Sequence, residues 1–144
     1  MNTDKTVAER SADRWIAVAL GYFLLAVGLG VAMAASHDFR LKGLHVHLNM
    51  LGWVSMALMG VIYRLFPQAA ASRLARWHFV LYQAMLPLMM VGLAGILLGH
   101  MAMEPLVAAG STGVLAAVLL FALAVWRGQA RSSALRLDQI QRAV

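Results

Sequence analysis

The chain has no cysteine, three prolines and six acidic residues in 144. Without cysteine there are no disulfides, no thiolate iron–sulfur ligands, no covalent c-type haem attachment and no thiol catalysis. Charge of both signs is scarce: 12% of residues are charged, about half the fraction of an ordinary soluble domain. The acids are Asp4, Glu9, Asp13, Asp38, Glu104 and Asp138, and all lie outside the apolar runs. Neither a paired-carboxylate site nor a proton path through buried carboxylates has the residues it would require. There is no phosphate loop, no Gly-x-Ser-x-Gly, no low-complexity segment and no clear internal repeat.

What fills the chain instead is hydrophobic sequence, 62% of it, gathered into four runs. They are Trp15–Ala35, His45–Phe66, Trp77–Gly99 and Pro105–Trp126. Each is close to the roughly 20 residues that carry a helix across a 30 Å hydrocarbon core. The runs are continuous rather than alternating, which argues against barrel strands. The first is too long for a signal-peptide core, and Ser36-His37-Asp38-Phe39-Arg40 is a poor cleavage site. The expected fold is an all-α membrane protein, a single four-helix transmembrane bundle over residues 1–144. Residues 127–144 form a cytoplasmic tail, either a short surface helix carrying Leu135, Leu137 and Ile140 or a frayed end.

The basic residues orient the bundle. Lys5, Arg10 and Arg14 precede the first run, Arg64, Arg73 and Arg76 lie between the second and third, and Arg127, Arg131, Arg136 and Arg142 follow the fourth. These ten share one side, against Arg40 and Lys42 on the other. Such a split places both termini in the cytoplasm of a bacterial inner membrane. Trp15, Trp77 and Trp126 fall at cytoplasmic helix ends, as an interfacial belt requires. The net charge of +6 then reflects topology and contact with anionic lipid rather than nucleic acid.

Five histidines and ten methionines remain as possible ligands. His37, His45, His47 and His100 lie towards the outer face, and His78, beside Arg76 and Trp77, reads as an interfacial residue without a site. His45 and His47 open the second helix two residues apart, about 200° of rotation. They point to nearly opposite sides and serve two separate sites or none; a helical metal pair is normally spaced i, i+4. His45 shares its face with Asn49, Gly52, Met56 and Met59. His47 shares the other with Met50, Leu51, Val54, Leu58 and Ile62, a wide apolar surface that suits a macrocycle held by a neutral imidazole.

The segment His45-Val46-His47-Leu48-Asn49-Met50-Leu51-Gly52-Trp53, followed by Met59-Gly60, Tyr63, Leu65 and Pro67, resembles the tenth helix of the haem–copper oxidase catalytic subunit. It is most similar to the cbb3-type oxidases and their nitric oxide reductase relatives. The four runs resemble helices nine to twelve, one of the three four-helix arcs of that subunit. The resemblance implies that His47 is an axial ligand of a low-spin haem, and that His45 serves a second haem or metal site. It also implies that these ligands face the outer side of the membrane. The copper ligands, the other low-spin ligand and the oxygen-site tyrosine of the family have no counterpart, so one copy of this chain is not expected to be an oxidase.

The expected function is therefore a membrane cytochrome b: non-covalent haem b, held through His47, for electron transfer or ligand sensing. In that family the low-spin haem lies between the second helices of two arcs, which implies a homo-oligomer sharing haem between protomers. A trimer follows the three arcs most directly, with a dimer as the alternative. Two other classes stay open: a haem- or copper-handling accessory protein with a transient site at His45, His47 and His100, and a structural membrane module. Trp53 either lies against a macrocycle or packs. His100-Met101-Ala102-Met103 is a weak copper candidate, and His37 a weak ligand. Gly92, Gly95 and Gly99 form a small-residue face for close helix contact, and Pro87 interrupts the third helix.

Overall fold

The computed structural model describes the backbone from Thr3 to Ala143, with side chains from Ala8 to Ser133 and at Gln139, Gln141 and Arg142. Among the described residues there is no strand. Four long helices follow one another: α1 (Thr3–Ser36), α2 (Lys42–Leu65), α3 (Arg73–Leu97) and α4 (Glu104–Ala143). A single turn at Pro67–Ala70 and a 3₁₀ turn at Met101–Met103 lie in the connections. All four helices are long and apolar enough to cross a membrane. No more than 33% of the most apolar stretch of each is buried within the chain. The exposed surface is Leu, Val, Phe and Met, which water would not tolerate over such an area.

The helix boundaries have local causes. Phe66 leaves the helical region (φ −119°, ψ 73°) because Pro67 follows it, and that ends α2. Ser72 caps α3, its Oγ accepting the Ala75 N–H at 3.1 Å. Gly99 (φ +97°) closes α3, allowing the His100 N–H to turn back to the Gly95 carbonyl at 2.9 Å. Gly99 is thus a helix-end residue in open space, not part of a packing face with Gly95. The final helix does not stop near Trp126 but continues through the basic segment to Ala143.

Glycines fix how closely the helices approach. A Cβ on Gly110 of α4 would lie 2.6 Å from the Met89 backbone nitrogen of α3, and one on Gly92 would lie 2.9 Å from that of Val107. Gly95 and Gly113 lie against Met103 and Met85. The small face of α3 is consequently consumed within the chain. Gly60 of α2 sits beside the Ala12 carbonyl of α1, and Gly128 of α4 beside Ala69. These two contacts, among Ala12, Gly60, Ala69 and Gly128, lie at one end of the bundle. Gly30, His45, Leu97 and Met103 gather at the other.

The core is aromatic near the basic end. Trp15, Tyr63, His78 and Tyr82 are fully buried, with Met56 and Leu86 deeper along the same seam. Trp15 is therefore not an interfacial belt residue. Trp77 and Trp126, 66% and 73% exposed, do have the exposure of one.

Gly110→Ala should lower stability by about 1–3 kcal/mol, because the added methyl must push α3 and α4 backbones apart. Gly21→Ala, where nothing lies within 4 Å, should be neutral or mildly stabilising. Thermal unfolding in mild detergent checks the pair, and equal losses at both positions would contradict this packing.

Candidate functional site

The end of α2 that carries the histidines is unusual in its backbone. After one α-helical stretch, Lys42–His47, the chain widens into a π-helix from Leu48 to Ser55 before resuming at Met56. Widened turns shift the hydrogen-bond ladder and often accompany functional positions. Here the segment is held by side chains. The Tyr82 hydroxyl of α3 donates to the Leu51 carbonyl at 3.0 Å, and Ser55 Oγ donates to the Met50 carbonyl at 2.7 Å. Gly52 leaves room for the Tyr22 ring of α1, whose Cδ1 would lie 2.5 Å from any Cβ there.

The two histidines diverge, as their spacing requires. His45 turns inward and is half-buried against α1. Its Nδ1 lies 2.9 Å from the Ala26 carbonyl, and its ring occupies the space above Gly30, where a Cβ would come within 2.9 Å. Asn49 Nδ2 lies 3.4 Å from His45 Nε2 and donates to the His45 carbonyl at 3.0 Å. The rest of that face is filled: Gly52, Met56 and Met59 are buried against the neighbouring helices. Within the chain this side of α2 faces neighbouring helices.

His47 turns outward and is exposed. Its Nδ1 lies 2.8 Å from the Gly43 carbonyl one turn earlier. A carbonyl partner assigns the proton to Nδ1 and leaves the Nε2 lone pair free, the tautomer of a metal-ligating imidazole oriented by its second nitrogen. Met50, Val54 and Leu58 continue the exposed surface along the helix. Trp53 is half-buried and stacks on Phe23 of α1, with ring centroids 4.8 Å apart at 31°, so it packs between helices rather than standing free.

The other ligand candidates do not converge on either histidine. His37 is exposed in the α1–α2 turn, in the left-handed region (φ 54°). Beside it, Arg40 binds Asp38 in a bidentate pair, its Nη2 at 2.6 Å. These hydrogen bonds lower the Asp38 carboxyl to about 2 and raise the Arg40 guanidinium above its ordinary value. His100 is exposed after α3, and the Met103 side chain lies against Gly95. Among the described residues, no three His, Cys, Asp or Glu side chains gather as a metal site.

His78 overturns the expectation of an interfacial residue. It is 0% exposed in the middle of the aromatic core. Its Nδ1 lies 2.9 Å from the Tyr63 hydroxyl, and its ring stacks on Trp15 at 4.4 Å and 25°. His78 Nε2 and Trp15 Nε1 have no partner among the described residues. The sequence does carry a signal for this: His78, Tyr82, Leu86 and Met89 recur at helical spacing on one line of α3, and all four are buried.

Comparison with protein-family models, with curated proteins and with solved structures finds no match for this chain. The fold and site define an all-helical chain with four helices of membrane-crossing length and one outward, singly tethered histidine on an apolar face.

Tyr63→Phe should cost about 1–2 kcal/mol by leaving His78 Nδ1 without its partner in an apolar core. Thermal unfolding of the variant against Tyr82→Phe, which instead frees the Leu51 carbonyl, would rank the two links. An unchanged midpoint in Tyr63→Phe would show that the Tyr63–His78 bond contributes nothing.

Proposed function

We propose that this chain is a b-type haem protein of the bacterial inner membrane, related to the haem–copper oxidase catalytic subunit, with His47 as an axial ligand. One observation carries the reading. His47 stands on an exposed apolar face with its Nδ1 tied to the Gly43 carbonyl and its Nε2 free. An axial ligand requires a neutral, oriented imidazole and an apolar flank for the porphyrin, and Met50, Val54 and Leu58 supply that flank. The likeness of His45–Pro67 to the haem-bearing helix of the oxidases supports the same residue.

Bound haem would supply a one-electron centre for electron transfer or ligand sensing. The protein's part is to fix the imidazole, cover the macrocycle edge and keep water from it. His45, occupied by Ala26 and Asn49, acts in this reading as an anchor for α2 rather than as a second haem ligand. Low-spin iron needs two axial ligands, and this face of the chain offers one. The second comes from another copy. A two-fold axis is the operation that sets a residue opposite its own copy. A dimer with one haem between two His47 side chains therefore fits the geometry better than the trimer implied by the oxidase arcs, where one His47 in three is left over.

The ten basic residues put both termini in the cytoplasm and His45 and His47 towards the outer face. Reporter fusions at each terminus should read cytoplasmic, and an insertion at Arg40 should read external. An external C-terminus would move the haem site to the opposite face.

Haem content and native mass tested together decide the ligand. The wild-type protein in mild detergent should be dimeric with about half a haem per chain, the ratio that a two-fold shared site dictates. His47→Ala should abolish the low-spin spectrum, whereas His45→Ala and His78→Ala should retain haem, with lower stability. Full haem in His47→Ala would exclude the proposed ligand. A stable monomer with a six-coordinate haem would exclude the shared site, and a colourless protein from haem-replete cells would exclude a resident haem.

A further inference from the structure

The two flanks of α1 at the basic end differ in a way that orientation alone does not require. On one flank Glu9 and Asp13 face Arg64 of α2 across an open cleft, and Arg64 forms an ion pair with Asp13. Positive charge there is matched within the chain. On the other flank, Arg10, Ser11 and Arg14 face Arg76 of α3 across a groove of about 270 Å³. Among the described residues, none of these three arginines has an ion-pair partner. Three arginines lining one groove with no carboxylate among them favour an anion there.

The composition of the groove specifies the anion. Its polar end is guanidinium and hydroxyl, the donors that match phosphate oxygens. Its other end is apolar: Phe79 and Val80 lie one turn further along α3 than Arg76, towards the middle of the span, and Val80 is exposed. Trp77, also exposed, marks the interfacial level beside it. A soluble anion would need only the first end. A molecule with a phosphate at one end and an acyl chain at the other uses both.

We propose that the groove between α1 and α3 is a specific site for one anionic phospholipid, with its phosphate held by Arg10, Ser11, Arg14 and Arg76 and its acyl chain laid along Phe79 and Val80. The site is independent of the haem reading, lying at the opposite end of the bundle from His47. Bound lipid would tie α1 to α3, two helices that otherwise meet mainly through Trp15, His78, Phe79 and Tyr82.

The test is a native mass titration of the full-length protein in detergent, using phosphatidylglycerol, phosphatidylcholine of the same acyl chains, and inorganic phosphate. The expected result is one preferred phosphatidylglycerol adduct. Arg76→Gln should weaken it by about fivefold, as expected for one basic residue at an anionic lipid surface. Arg10→Gln/Arg14→Gln/Arg76→Gln should abolish the preference. Arg127→Gln/Arg131→Gln/Arg142→Gln, which removes the same charge from α4, should keep it. Equal binding of phosphatidylcholine, an equal loss in both triple variants, or displacement of the lipid by millimolar inorganic phosphate would each overturn the proposal. If the first triple variant does not fold, Arg76→Gln decides: unchanged lipid affinity overturns the proposal.

Discussion

In hydrocarbon, an amide N–H or carbonyl without a partner costs several kcal/mol, and no water is present to supply one. That constraint makes every long element of this chain a helix, and it governs the one place where the helical ladder changes. Through Leu48–Ser55 the wider turn moves each backbone bond by one residue. The carbonyls at Met50 and Leu51 receive the Ser55 and Tyr82 hydroxyls in addition. Such a segment is affordable because α3 reaches across to bind it. The same hydroxyl joins α2 to the aromatic core, so the irregular backbone and the buried cluster are parts of one structure.

The helices attract one another without a hydrophobic driving force between them, because lipid is as apolar as their side chains. Close packing takes its place. At Gly110–Met89 and Gly92–Val107 the missing side chains let α3 and α4 approach to backbone contact. Between α1 and α2, two glycines instead admit rings, Tyr22 over Gly52 and His45 over Gly30, while Gly60 lies against the Ala12 backbone carbonyl. The two pairs meet where Trp15, Tyr63, His78 and Phe121 come together.

How much of this was legible depended on which physical signal carried it. The four helices are written in run length and continuity. The divergence of His45 and His47 follows from two residues of α-helical rotation, and the structure has it. The π-helical widening from Leu48 to Ser55 was not legible: the buried line Leu48–Gly52–Met56 would fall within about 80° on a regular α-helix as well, so the burial pattern does not mark it. No composition marks that widening. The neighbours of His78, Arg76 and Trp77, carry an interfacial signal, whereas its burial depends on its place in the i, i+4 line with Tyr82 and Leu86. Trp15 likewise lies near a helix end in sequence but against His78 and Tyr82 of α3 in the fold. Gly99 looked like the second half of a small-residue motif and is instead a positive-φ terminus.

In the proposed haem reading the two histidines act as one device. An outward imidazole is useful as a ligand only if its helix cannot rotate about its own axis, since a modest rotation would turn Nε2 away from its target. Nothing on the lipid side of α2 can supply that restraint. It must come from the opposite face, about 200° away. His45 stands there, with its Nδ1 on the Ala26 carbonyl and its ring seated where Gly30 has no side chain. Asn49 one turn on donates to the His45 carbonyl within α2, and Tyr22 against Gly52 extends the contact with α1. His45 thus fixes the rotation of α2 from inside, and the Gly43 carbonyl fixes the ring of His47 upon it. A His-x-His opening serves both ends only because the spacing is two: at four, both rings would have faced α1 or both would have faced lipid.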